Sequence, residues 1–136
     1  MTSQTLKNLD TRIANWMGNV YPTAIRFSFA IIFIWFGALK PLGCSAAEPL
    51  VLATVAWMPL LTASQWLAVI GWWEIAIGAC FLAKRTTRLA ILLLFLQMTG
   101  TFLPLFILPE VTFQEGGIPL LPTMEGQYII KNLMIL

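Results

Sequence analysis

The sequence predicts an all-α integral membrane protein. The expected form is a four-helix bundle with a truncated fourth helix, an N-terminal interfacial amphipathic helix and a short helix after the first span. Three observations predict it. Of 136 residues, 59% are hydrophobic and only 10% charged, against roughly 45–50% and about 25% in soluble domains. So short a chain has too little interior to hide that much apolar surface from water, whereas lipid accepts it. The apolar residues also gather into runs of span length, separated by charged or Pro/Gly-bearing breaks. The length suits a single domain.

Residues 1–21 are polar but periodic. Leu6, Leu9, Ile13, Trp16, Met17 and Val20 recur at helical spacing, with Lys7, Asp10, Thr11, Arg12 and Asn15 on the other face. That pattern predicts an amphipathic helix in the membrane interface; a helix packed on the protein itself reads equally well. The first apolar run begins only near Phe27, behind a polar stretch longer than a secretory n-region, so no cleaved leader is expected.

The bundle is predicted over residues 22–136, with spans at about 22–42, 66–83, 88–108 and 123–136. Pro22 opens the first, whose apolar stretch from Phe27 to Leu39 is flanked by Arg26 and Lys40. Pro41-Leu42-Gly43 stops it. Ser45, followed three residues later by Glu48, reads as a capping box. It predicts a short helix from about Ala46 to Met58 lying across the membrane surface, ended by Pro59. The second span carries Glu74, and Lys84-Arg85-Thr86-Thr87-Arg88 is a tight basic turn. The third carries Gln97, Thr99, Thr101 and Pro104, where a kink is expected. An acidic loop with Glu110, Glu115, Gly116 and Gly117 leads to a fourth helix from Thr123, which covers half a span by Leu136; the chain is expected to run on.

Charge sets the predicted orientation. The turn at Lys84, Arg85 and Arg88 belongs on the cytoplasmic side, with Lys7, Arg12 and Arg26 beside it and Glu110 and Glu115 opposite.

The composition also excludes chemistry. With no histidine, a histidine-ligated haem, a His-containing metal site and a Ser-His-Asp triad are ruled out. No catalytic residue and no metal site are predicted. Cys44 and Cys80 read as small buried hydrophobes near opposite faces, too far apart to bridge. A net charge of +2 without a basic stripe gives no reason for a nucleic-acid partner.

Ionisable groups inside a span are costly and have a reason to be there. At about 1.5 Å per helical residue, Glu74, Gln97 and Lys131 fall at one level near the midplane. The expectation is that Glu74 pairs with Lys131 while Gln97 hydrogen-bonds nearby. This layer either holds the helices in register or forms a proton relay or the floor of a ligand pocket. Trp73, Thr99, Thr101 and Tyr128 are the side chains that would line such a pocket. Trp57, Trp66, Trp72, Trp73 and Tyr128 read equally as interfacial or packing aromatics. Lys40 and Arg26 are expected to snorkel to the surfaces.

Several segments carry a family resemblance: Trp35-Phe36-Gly37-Ala38-Leu39-Lys40, Ser45-Ala46-Ala47-Glu48, Trp73-Glu74-Ile75-Ala76-Ile77-Gly78 and Leu96-Gln97-Met98-Thr99-Gly100-Thr101-Phe102-Leu103-Pro104. The most specific is the closing Thr123-Met124-Glu125-Gly126-Gln127-Tyr128-Ile129-Ile130-Lys131-Asn132-Leu133. Together, over residues 24–136, the chain resembles DoxX-like membrane proteins. The resemblance implies a compact four-helix bundle in a bacterial inner membrane. Some such proteins are linked to thiosulfate oxidation with quinone as acceptor, or to defence against oxidants.

Three functions are then expected, in this order. The first is a non-catalytic accessory subunit of a larger membrane complex, redox or photosynthetic, which the lack of histidine, metal motif and nucleophile favours. The second is a small quinone-linked oxidoreductase subunit. The third is a proton pathway or transporter. The expected partners are membrane lipid and other integral membrane subunits. No cofactor is required by the sequence, and quinone or lipid is the ligand class to consider.

Overall fold

A computed structural model describes residues 3–115 and 120–136. Gly116 and Gly117 of the acidic loop lie outside the described residues. The helices run in the order α1 Ser3–Leu39, α2 Glu48–Val55, α3 Ala63–Leu82, α4 Thr87–Phe102, α5 Pro104–Ile107, α6 Pro109–Thr112 and α7 Met124–Lys131. Short 3-10 turns occupy Lys84–Thr86 and Asn132–Ile135. No strand forms among the described residues. Three segments are long and apolar enough to cross a membrane: Gln4–Leu39, Ala63–Leu82 and Lys84–Ile107.

The first correction concerns the N-terminus. The interfacial helix and the first span are one helix, α1, of 37 residues. At about 1.5 Å per residue it is roughly 55 Å long, against about 30 Å of hydrocarbon. Pro22 lies inside it without ending it. A proline forfeits one backbone bond and crowds the carbonyl four residues back; here that residue is Gly18, and helix continues on both sides. Every residue from 4 to 24 is exposed, so the first half of α1 stands clear of the bundle as an arm.

The second half of α1 packs antiparallel on α3 through small residues. A Cβ on Gly37 would lie 2.8 Å from the Gly71 carbonyl oxygen, and one on Gly71 would lie 2.7 Å from that of Gly37. Seven residues along each helix the contact repeats, a Cβ on Gly78 falling 2.8 Å from the Ala30 carbonyl oxygen and 2.6 Å from Ile34 Cγ1. A repeat of seven keeps the seam on one face of each helix. At the far end Arg26 does not snorkel; its Nε donates to the Phe81 carbonyl at 3.2 Å and its Nη2 to that of Leu82 at 3.0 Å. These are last-turn acceptors that α3 cannot satisfy itself. Below the seam Ala30, Phe33, Ile77, Phe81, Ala90, Leu94 and Met98 form the core. Phe29 stacks on Phe81 with centroids 5.1 Å apart.

Helix ends follow local chemistry. Gly43, at φ +68°, lets the chain turn off α1, with the Cys44 N–H donating to the Leu39 carbonyl at 2.9 Å. The predicted capping box at Ser45 and Glu48 does not form. Ser45 Oγ accepts from the Ala47 N–H at 3.3 Å instead, and α2 begins at Glu48 without a side-chain cap. A capping box does form at α3, where the Thr62 side chain accepts from the Gln65 N–H and Gln65 Oε1 from the Thr62 N–H. Pro104 divides the third span into α4 and α5, where a kink was expected.

The described part of the acidic loop holds regular structure where a plain loop was expected. It holds the turn of helix α6 and an isolated antiparallel bridge between Phe113 and Pro122. Thr123 Oγ1 donates to the Val111 carbonyl at 2.6 Å and accepts from the Gly126 N–H at 3.2 Å. Gly126 lies against the buried Thr112, so close that its backbone has no room for a Cβ. The predicted fourth span is eight residues of α-helix followed by a 3-10 turn.

Enlarging the seam tests this packing. Gly71→Leu and Gly78→Leu are each expected to cost about 1–3 kcal/mol or more by overpacking, lowering the thermal unfolding midpoint in detergent. Gly100→Ala, where a Cβ meets nothing within 4 Å, is expected to hold or raise it, because a mid-helix glycine costs roughly 0.5–1 kcal/mol relative to alanine.

Candidate functional site: a polar layer within the spans

The α1–α3 register decides which charges meet. Glu74 sits in the middle of α3, one turn beyond Gly71, with its Cβ against Gly37. Lys40, the first residue after α1, is set beside the same glycine contact and its side chain points back along the helix toward Glu74. Its Nζ donates to Glu74 Oε2. From α4, Gln97 Nε2 donates to Glu74 Oε1 at 3.0 Å. Both carboxylate oxygens therefore have a partner, and three helices are tied at one carboxyl group. Lys40 and Glu74 are 8% and 13% exposed, so the pair is taken out of solvent as well as out of lipid.

The predicted partner of Glu74 was Lys131, and this is the second correction. Lys131 is exposed, with its ammonium 5.8 Å from the centroid of the Tyr128 ring. The reason is rotational. Gly126 must face Thr112, and Ile129, one turn on, is buried beside it. At 100° per residue, Lys131 then falls on the outer face, and Asn132 turns inward instead.

A cavity of about 160 Å³ adjoins the layer, lined by Phe33 and Phe36 of α1, Glu74, Gln97 and Thr101, and Asn132 of the last turn, among others. Of the predicted lining residues only Thr101 is there, its hydroxyl donating to the Gln97 carbonyl at 3.1 Å. Trp73 donates its Nε1 to the Leu93 carbonyl at 3.3 Å, bridging α3 and α4. Thr99 is exposed and donates to the Phe95 carbonyl at 3.2 Å. Tyr128 is 68% exposed. The residues missed from sequence are Lys40, Asn132 and the two phenylalanines. For Lys40 a signal existed: the matched seven-residue spacing of Ala30 and Gly37 with Gly71 and Gly78 predicts the register that brings it to Glu74.

Volume limits what the cavity can do. Ligand pockets for drug-sized molecules run to roughly 300–1,000 Å³. At about 160 Å³ this one is below that range.

Comparisons of the chain with protein-family models, with curated proteins and with solved structures find no match in any of the three.

The pair can be tested as a unit. Lys40→Met leaves a buried carboxylate without its cation, and Glu74→Leu leaves a buried ammonium; breaking one side of such a pair costs about 3–5 kcal/mol. The double variant Lys40→Met/Glu74→Leu is expected to recover much of that loss in detergent unfolding, because no unpaired charge remains. Additive losses would show that the two side chains are not coupled.

Proposed function

We propose that the chain is a non-catalytic accessory subunit of a larger complex in a bacterial inner membrane, of a redox or photosynthetic kind. The observation that carries this reading is the arm of α1. Some twenty residues of exposed amphipathic helix project beyond a bundle that does not use them. An apolar stripe left uncovered in a folded chain marks a contact surface. The polar layer supports the reading from the other side. Lys40, Glu74 and Gln97 use their polar groups on one another, which suits a device that holds helices in register. The DoxX-like resemblance agrees with a small bacterial membrane bundle. The arm and the turn at Lys84, Arg85 and Arg88, at one end of the bundle, belong on the cytoplasmic side by the positive-inside rule.

A second reading, a quinone-linked subunit, is favoured by one observation: the cavity meets Glu74, Gln97, Thr101 and Asn132 between apolar walls. It accommodates a ring, with any isoprenoid tail left in lipid.

Two measurements separate these readings. Native mass spectrometry of the full chain, solubilised from its own membranes in mild detergent, is expected to find it bound to other membrane subunits; a chain that always runs alone removes the accessory reading. The double variant Lys40→Met/Glu74→Leu, which leaves no unpaired buried charge, is expected to leave quinone-dependent turnover of the host membranes unchanged. Its abolition in that variant, with protein levels intact, would replace the first reading by the second.

A further inference from the structure

Asn132 carries a polar amide to the level of the Lys40–Glu74–Gln97 layer, where the chain supplies it with no partner. Its position follows from the packing of α7. Gly126 faces Thr112 and Ile129 is buried; Asn132, three residues further, falls on the same inward side. There it is half-buried and lines the cavity of about 160 Å³ together with Glu74, Gln97 and Thr101. Among the described residues its side chain makes no hydrogen bond. The other polar groups on that wall also keep capacity to spare. Glu74 has four lone-pair sites, of which Lys40 and Gln97 engage two. Gln97 donates through Nε2, leaving Oε1 to accept. The Thr101 hydroxyl donates to the Gln97 carbonyl and can still accept.

What occupies the cavity is decided by this surplus. An acyl chain entering from the bilayer offers neither donor nor acceptor, so the Asn132 amide would lose the bonds it makes to water in the unfolded chain and gain none. A dry void has the same defect, and cavities that stay empty are apolar ones. A water needs about 10–15 Å³ of space and two to four polar partners. The cavity supplies the space several times over, and four side chains on three helices and the last turn supply the partners. Polar side chains at membrane depth pair with one another or face a water-filled cavity; Lys40 and Glu74 do the first, which leaves Asn132 the second.

We infer that this cavity is a water site. Water held there accepts from the Asn132 amide and donates to Gln97 Oε1 and to the Glu74 carboxylate. The last turn of the chain, which has no direct hydrogen bond to the polar layer, is thereby tied to it through solvent. The inference holds whether or not the chain joins a larger complex, so it stands apart from the accessory-subunit reading.

The test is solid-state NMR of the full chain in protonated lipid bilayers, with the Asn and Gln side-chain amides labelled with nitrogen-15. Magnetisation is transferred to those amides from the water line and, separately, from the acyl-chain line. The expected result is transfer from water to the Asn132 and Gln97 amides, with acyl-chain transfer several-fold weaker. Asn8 and Asn15, on the exposed arm, serve as reference signals. Asn132→Leu assigns the Asn132 signal and is expected to lower water transfer to Gln97 several-fold, because the cluster loses its donor. Transfer to Asn132 and Gln97 from acyl chains alone, from the ring protons of a bound aromatic molecule, or from neither source overturns the inference. The unmodified chain decides this by itself, so a poorly folding Asn132→Leu does not obscure the outcome.

Discussion

The contact on which the molecule depends is the glycine-mediated approach of α1 to α3. Backbone meets backbone at Gly37 and Gly71, and again at Gly78 beside Ala30 and Ile34. In lipid, apolar burial gives helices little reason to associate, so close van der Waals approach and internal hydrogen bonds must hold them. Side chains as small as glycine permit that approach. Once the register is set, Arg26 reaches the last carbonyls of α3 at one end and Lys40 reaches Glu74 at the other. Either polar contact would fail if the helices slid by a turn.

The charge pair is a consequence of that contact and also a condition on it. A lysine and a glutamate withdrawn into the bundle lose hydration, and their attraction offsets that loss only with good geometry and saturated hydrogen bonding. Gln97 supplies a donor to the other carboxylate oxygen. The layer therefore draws on three helices rather than two: α4 is held to the α1–α3 pair through an amide on the remaining carboxylate oxygen.

The two halves of α1 meet different surroundings. Inside the membrane the seam is narrow and glycine-lined because α3 must come close. Outside, larger residues (Leu9, Ile13 and Trp16) are left exposed along the arm. The helix continues through Pro22 from the arm into the packed half.

Much was legible in the sequence. Of the four spans expected, the three that are long and apolar enough to cross a membrane follow from hydrophobic runs of sufficient length, which depend on nothing but local composition. Glu74 and Gln97 could be placed at one depth because rise per residue is constant along a helix. The tertiary structure decided which charges met, because pairing depends on rotation and register between helices, and depth says nothing about either. Lys131 lies outside because Gly126 must face Thr112; Lys40 lies inside because two glycine pairs align α1 with α3. Whether Pro22 ended a helix or sat within one was likewise not readable locally, since a single lost backbone bond is weighed against the helix on both sides of it.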